Sequence, residues 1–345
     1  MPLVCQQDLR DVVASLSDGR LAVGSDRVVG RYLVAAEDLD AHVPVLTEEA
    51  LFAGSDEARA LRAVACKGDV EAMLEAWERP EAGGSNPLAH VDLFCNYVLA
   101  KMEARARPRT ASDGPALAAE RLRRLEHWFC KAEEKWVDRK EQAEKLQMIH
   151  GALRAQCRRH VSLDDLRHLD DVLNRNAEEF TGAAAVFSGG GHPAFLSRRR
   201  FQGIFPCKDL IQHSCEPNCL TIAGPATAGS RGGSGEGAGS LVMQVVPLRA
   251  ISRGERLTWN YLPYWKWLWP TQLRRQALLD GWGFLCRCQR CEGGAREAVM
   301  AFRCPACGLG ELCPSRPCAA RRPGHAAALR GVSALACGCG LELRR

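Results

Sequence analysis

Between residues 20 and 50 the apolar positions come in short β-rich runs split by turn residues, among them "RYLVAA" and "VPVLTEE". Alternation of apolar and polar residues over a short run suits a half-buried strand, so these two runs predict two strands of a small sheet. From about residue 56 the period changes. "DEARALRAVACKGDVEAMLEAWER" and "PLAHVDLFCNYVLAKMEARA" carry apolar residues at helical spacing. After the loop "RPRTASDGP", the stretch from Ala116 to Arg159 reads as one or two long helices with Leu, Trp and Phe on one face. "SLDDLRHLDDVLNRNAEEF" predicts a further helix with Ser162 as its N-cap. "SGGGHPAF" breaks the helical tract, and strands resume at "CLTIAG" and "SLVMQVVPLRAI". "TQLRRQALLDGW" is a last helix, followed by two cysteine clusters. The plan is α+β: strands, a helical insert, strands, and cysteine-rich tails.

The stretch between the two late strands, "PATAGSRGGSGEGAG", reads as a flexible hairpin loop. It resembles a phosphate-cradling loop only in glycine content, since it lacks the P-loop lysine and a following helix.

Composition narrows the class only modestly. Hydrophobic residues make up 46% and charged residues 25%, as in ordinary globular domains. A net charge of +5 is too mild to mark a nucleic-acid binder, although a weakly basic surface favours an acidic partner. The most apolar tract, "YLPYWKWLWP", is too short for a membrane span and is interrupted by Lys266 and two prolines. "MPLVCQQDLRDVV" has no basic stretch leading into an apolar one, so no secretory signal is expected. The expected compartment is therefore reducing, cytoplasmic or nuclear. There, 17 cysteines do not form a disulfide framework, and metal binding explains tight cysteine spacing best.

Those cysteines are unevenly spread. Cys5, Cys66, Cys95, Cys130 and Cys157 are scattered and read as buried small hydrophobes, while the other twelve fall between residues 207 and 339. "FLCRCQRC" places Cys286, Cys288 and Cys291 at C-x-C-x2-C spacing. Zinc takes four soft ligands in a tetrahedron, so a fourth comes from elsewhere, with Cys215 and Cys219 of "IQHSCEPNCL" as candidates. Further on, Cys304 and Cys307 form a C-x2-C knuckle that Cys337 and Cys339 complete as a zinc ribbon, with Cys313 and Cys318 as spare ligands. Both sites read as structural, because a catalytic zinc keeps an open position. A Cys/His hydrolase built on Cys215 and His213 lacks an orienting third group, and the cysteine spacings lack the histidines and basic helix of a DNA-binding finger.

Four pieces in order, "VVGRYLVAAEDLDAHVPVLTEEAL", "GIFPCKDLIQHSCEPNCL", "PLRAISRGERLTWNYL" and "WPTQLRRQALLDGWGFLCRCQRC", resemble a SET-domain lysine methyltransferase of the SET-and-MYND type. "VVGRYLVAAEDLDAHVPVLTEEAL" is similar to the family's opening Gly-Arg-Gly-Leu turn, strand and acidic "EEPL". "GIFPCKDLIQHSCEPNCL" resembles the "NHSCxPN" motif with its lead-in, and "PLRAISRGERLTWNYL" the "GE…Y" segment. "WPTQLRRQALLDGWGFLCRCQRC" resembles the aromatic and cysteine tail. The resemblance covers residues from about 25 to 50 and from 170 to 292.

It implies a SET fold of small β-sheets closed by a C-terminal pseudoknot. The segments are 1–54 as the N-terminal half, 55–165 as the helical insert, 166–270 as the core with the loop 224–240, 271–295 as the post-SET zinc segment and 296–345 as the ribbon. It also implies S-adenosylmethionine as methyl donor, zinc as structural metal and a protein substrate presenting a lysine, on a histone or another protein. No membrane and no direct nucleic-acid contact are expected, and the chain is expected to be a monomer. Tyr261 takes the place of the channel tyrosine. Gly30, Arg31, Tyr32, Asn176 (with Asn174 as competitor), Gln212, His213, Tyr261 and Phe284 stand at cofactor positions, with Trp282 beside them. Asn218 holds the knot, and the resemblance selects Cys215 over Cys219 to join Cys286, Cys288 and Cys291 on zinc. Tyr32 and Gln212 depart from the family's glycine and asparagine, and no MYND finger interrupts the first half. A SET-fold interaction module without turnover is the alternative that these departures motivate.

Overall fold

The computed structural model describes residues 3–27, 30–56, 59–65, 87–105, 114–128, 139–185, 196–225, 241–292, 302–303, 305–306, 311–314, 334–336 and 342–344. The chain divides into two compact units: Met1–Ile211 with Thr221–Arg256, and Gln212–Leu220 with Leu257–Arg345. This division runs through the expected 166–270 segment.

In the first unit, helix α1 (Leu3–Leu16) leads into an antiparallel pair, β1 (Leu21–Asp26) with β2 (Gly30–Ala35). Gly24 faces Tyr32 across this pair, and the ring lies so close that any Cβ at residue 24 would overlap it. Strand β3 (Leu46–Glu49) pairs with β9 (Leu241–Pro247), in a sheet ordered β3–β9–β8 with β8 spanning Cys219–Pro225. "RYLVAA" and "VPVLTEE" are thus strands, but of two sheets rather than one. Each finds its partner through the backbone of a different segment, which alternation within a run does not encode.

A third sheet, ordered β4–β6–β5, joins β4 (Phe52–Ser55), β6 (Leu196–Ile204) and β5 (Ala177–Ala185). Helices α2 (Arg59–Val64), α3 (Pro87–Ala104), α4 (Gly114–Trp128), α5 (Arg139–Ala152) and α6 (Ala155–Arg158) lie in the expected insert, and α7 (Leu163–Asn176) runs from its end into the next segment. The core that these helices share with β4 gathers Phe52, Leu61, Phe94, Leu125, Ile149, Leu166 and Leu169, all at most 1% exposed. Helix α3 lies directly on β4 at Gly54, where a Cβ would overlap the Ala89 carbonyl oxygen and the Leu93 amide nitrogen. The Asp92 carboxylate fastens this contact by accepting the Ser55 and Leu61 N–H groups, each at 3.0 Å.

Ser162 caps α7 as expected: its Oγ accepts the Asp165 N–H (3.1 Å), and Asp165 accepts the Ser162 N–H (2.8 Å). The helix ends at Asn176, however, and "AEEF" opens β5 instead of completing the helix to Phe180. Residues 177–185 are claimed by an antiparallel register with 196–204, a non-local pairing that overrides local helical preference. "SGGGHPAF", most of "PATAGSRGGSGEGAG", and parts of the expected helices (66–86 and 129–138) lie outside the described residues. No helix among the described residues is long and apolar enough to cross a membrane.

In the second unit, β7 (Gln212–His213) pairs in parallel with β10 (Thr258–Trp259). Asn218 clips this pair. Its Oδ1 accepts the Thr258 N–H (2.7 Å) and hydroxyl (3.1 Å), and its own N–H donates to Thr258 Oγ1 (3.1 Å). Helix α8 (Thr271–Trp282) ends at Gly283, whose φ of 77° is the left-handed cap that glycine adopts without strain. A short α9 (Gln289–Glu292) follows. The chain closes with an antiparallel meander of β11 (Phe302–Arg303), β12 (Glu311–Pro314), β13 (Ala334–Ala336) and β14 (Glu342–Arg344). Cys304, Cys307, Cys337 and Cys339 lie outside the described residues.

Candidate active site

The cysteine tail and the motif "QHSC" meet in the second unit. The sulfurs of Cys215, Cys286, Cys288 and Cys291 all lie within 4.8 Å of one another. Cys215 Sγ is 4.0 Å from Cys286 Sγ and 3.6 Å from Cys291 Sγ. A tetrahedral zinc with Zn–S bonds of about 2.3 Å needs sulfurs about 3.8 Å apart, so the four fit that ion. Cys219 is buried and outside this group.

Hydrogen-bonding partners surround the sulfurs. Arg274, fully buried, donates to the Trp269 carbonyl, to Thr271 Oγ1 (3.1 Å) and to Cys291 Sγ (3.6 Å). Arg275 Nε and Arg290 Nη1 donate to the Cys286 and Cys215 carbonyls, at 2.8 and 3.3 Å. The crowding splits the thiols. Contact with Cys286, then with Cys288 and Cys291, pushes Cys215 upward, while hydrogen bonds from Cys215 first, then from Cys286 and Cys291, pull Cys288 down. Four thiolates this close need a cation, and a bound divalent metal would displace the remaining protons.

Beside the sulfurs stands His213. Its Nδ1 accepts the Tyr261 backbone N–H at 3.0 Å, and its Nε2 lies 3.3 Å from Cys215 Sγ. Burial lowers its pKa to about 4, so the imidazole is neutral at neutral pH. This arrangement disfavours a Cys/His nucleophile. A base that deprotonates a thiol must become an imidazolium, and protonated Nδ1 would face the amide N–H donor to donor.

Tyr261 sits at the centre of a ring cluster. The centroids of His213, Trp259, Trp282 and Phe284 are 5.2, 5.6, 5.7 and 6.2 Å from its own. Tyr261, Trp282 and Phe284 are half-buried and pack on the same core as Cys215, Cys286, Leu262 and Leu278. Trp267, not singled out in the sequence, joins this cluster and donates its indole N–H to the Leu262 carbonyl (2.6 Å).

Of the expected site residues, Gln212, His213, Cys215, Tyr261, Phe284, Cys286, Cys288 and Cys291 belong to this second unit. Gly30, Arg31, Tyr32 and Asn176 belong to the first. Gly30 has a φ of 76° at the start of β2. Arg31 donates to the Trp128 carbonyl at the end of α4, and the Arg256 guanidinium lies 3.9 Å over the Tyr32 ring. Asn176 donates back to the Val172 carbonyl (2.7 Å), while the exposed Asn174 bonds Asp170 (3.0 Å). Sequence reasoning missed Arg274, which reads like its neighbour Arg275, and the role of the histidine ring.

The profile of the SET domain matches residues 30–262, well over half of the chain. The chain belongs to the SET-domain family. Its knot, Cys215 and Tyr261 fall inside the matched region, while the other three sulfurs follow it. The chain is 33% identical over 99 residues to "Histone-lysine N-methyltransferase SMYD3" of Mus musculus, 28% of this SET-domain chain and 19% of that protein. It is 35% identical over 94 residues to "Histone-lysine N-methyltransferase SET5" of Meyerozyma guilliermondii, 27% of the chain and 17% of that relative. The chain thus spans under a fifth of either relative. Among solved structures it is similar to Rubisco LSMT bound to AdoMet, at 12% identity and a TM-score of 0.42, over 96% of this chain and 71% of that one.

Proposed function

We propose that this SET-domain protein is an S-adenosylmethionine-dependent protein-lysine N-methyltransferase. The observation that carries the reading is Tyr261. It stands at the end of the matched SET region, half-buried, ringed by His213, Trp259, Trp282 and Phe284, with its backbone N–H fixed by His213. The curated relatives carry the name histone-lysine N-methyltransferase, which agrees with it.

Bound S-adenosylmethionine supplies an electrophilic methyl group on a sulfonium, and aromatic faces favour such a cation. Gly30, Arg31, Tyr32, Asn176, Gln212 and Phe284 are the residues assigned to hold it. His213 contributes through its main chain, because both ring nitrogens already have protein partners. The Tyr261 hydroxyl orients the attacking lysine amine. The surrounding rings exclude water, which lowers the pKa of a lysine entering the site and leaves its nitrogen lone pair free to attack. Holding amine and methyl in line accounts for most of the rest.

Zinc on Cys215, Cys286, Cys288 and Cys291 is structural, with all four positions filled by protein. Cys304, Cys307, Cys337 and Cys339 are assigned to a second zinc. By sequence they lie between β11 and β12 and between β13 and β14. The substrate is a protein lysine, and the protein acts as a monomer in the cytoplasm or nucleus without direct nucleic-acid or membrane contact.

The test is tritium transfer from S-adenosylmethionine to a lysate panel, with calorimetry for cofactor binding. Tyr261→Phe should lower the rate by at least about a hundredfold at unchanged zinc content, since positioned groups commonly contribute that much. Absence of both transfer and cofactor binding sinks the enzyme reading. Binding without transfer would favour an interaction module.

A further inference from the structure

We infer that His213 is a positioning residue that ties the main chain of Tyr261 to the Cys215 thiolate of the metal centre, and does not contact the cofactor through its ring. The inference rests on the methyltransferase reading for its kinetic consequence, but not for its geometry. The donor directions follow from the contacts. The Tyr261 N–H can only donate, so the ring nitrogen facing it, Nδ1 at 3.0 Å, must accept and carry no proton. A neutral imidazole then holds its one proton on Nε2, which lies 3.3 Å from Cys215 Sγ. That N–H donates to the sulfur. A thiolate bound to a metal is a better acceptor than a thiol, so loading the site strengthens the bond that fixes the ring.

The ring thus joins two places that the chain separates widely: residue 215 in the metal centre, and residue 261 in the segment after β10. It is held between them by aromatic contacts, with centroids 5.2 Å from Tyr261 and 5.9 Å from Phe284. A ring so wedged cannot turn without breaking one hydrogen bond or the other. The position of the Tyr261 main chain, and with it the hydroxyl at the end of its side chain, is therefore set by the cysteine that binds the metal. Groups of this kind around metal sites commonly change affinity or activity by about 10–100-fold when removed.

Two substitutions separate the two bonds. His213→Asn keeps an acceptor near the Nδ1 position and loses the donor to sulfur. His213→Gln keeps a donor near the Nε2 position and loses the acceptor for Tyr261. With cobalt in place of zinc, the sulfur-to-metal charge-transfer band reports the sulfur bond directly. Losing an N–H donor raises the energy of the thiolate lone pair, so the band should move to lower energy in His213→Asn and stay in place in His213→Gln. Both variants should lose about tenfold in kcat while the Kd for S-adenosylmethionine is unchanged. In the unmodified zinc-loaded protein, nitrogen NMR should show the tautomer protonated at Nε2, a measurement that needs no variant to fold. An Nδ1-protonated ring, an unmoved band in His213→Asn, or a raised cofactor Kd with kcat preserved would overturn the inference. If the unmodified protein transfers no methyl group at all, the methyltransferase reading falls, while the band and the tautomer still judge the bridge.

Discussion

Glu48 offers a quantitative test of how the lead-in to the knot is held. It points inward from β3 and is 4% exposed, while its neighbours Thr47 and Glu49 face solvent. Its carboxylate oxygens accept the backbone N–H groups of Cys207 and Lys208, at 2.8 and 3.0 Å. Burial, only partly offset by those hydrogen bonds, raises its pKa from 4.5 to about 7. An acid whose folded pKa lies above its unfolded value favours folding below the unfolded pKa and loses that contribution as pH rises through the folded one. At about 1.4 kcal/mol per pH unit, the loss between pH 4.5 and 7 is about 3 kcal/mol. Glu48→Gln removes the ionisation. It also removes one acceptor, because an amide offers a single oxygen where the carboxyl offers two, at a cost of about 1–3 kcal/mol. The variant should therefore be clearly less stable than the parent at pH 5 and nearly equal to it, or ahead, at pH 8. Urea unfolding of both proteins at matched zinc concentration measures the gap. The other groups facing Glu48 are buried Lys208, lowered by burial, Asp209, raised by burial to about 6, and the Cys207 thiol, raised by burial. They titrate in both proteins and cancel to first order. A gap that is constant, or that widens with pH, refutes the reasoning.

Three further outcomes are expected. Gly54→Ala forces a methyl into the backbone of α3, which cannot move aside as a side chain can, so it should cost about 3 kcal/mol or more in thermal or chemical unfolding. Asn218→Ala leaves the Thr258 N–H without its acceptor and should cost about 1–3 kcal/mol, with faster amide exchange at β7 and β10 as the specific sign. Arg274→Met removes a buried cation that donates to Cys291 Sγ and to the Trp269 carbonyl, and should speed zinc transfer to a chelating dye about 10–100-fold.

What the sequence made legible depended on how local each signal is. Cys286, Cys288 and Cys291 declare themselves by spacing, and the resemblance to "NHSCxPN" pointed to Cys215 as the sulfur beside them. Ser162 was legible because a capping box is complete within four residues. Glu48 was not, because "TEE" at a strand end looks like a solvated acidic pair. Only the amides of Cys207 and Lys208, brought in by the fold, explain why one of the two faces inward. The same holds for β5: residues 177–180 continue a helical pattern, and only the partner at 201–204 turns them into a strand. Arg274 and Arg275 are indistinguishable in the sequence, yet one is fully buried against a sulfur and the other bonds a carbonyl.

The boundary of the SET match sharpens what the tail is for. The match stops at residue 262, one residue past Tyr261, so the family profile alone accounts for the knot and for the central ring. Trp282 and Phe284, which face that ring, lie beyond it, as do Cys286, Cys288 and Cys291. Aromatic wall and metal ligands are therefore carried on one short segment, α8 and the residues after it, and pack on one core. A structural metal in this position would do more than stabilise a loop. It would fix Cys286 against Cys215, and Phe284, two residues earlier, would be placed by the same constraint. A bound metal would thus anchor the segment that supplies Trp282 and Phe284 to the ring cluster around Tyr261, whose backbone N–H His213 accepts.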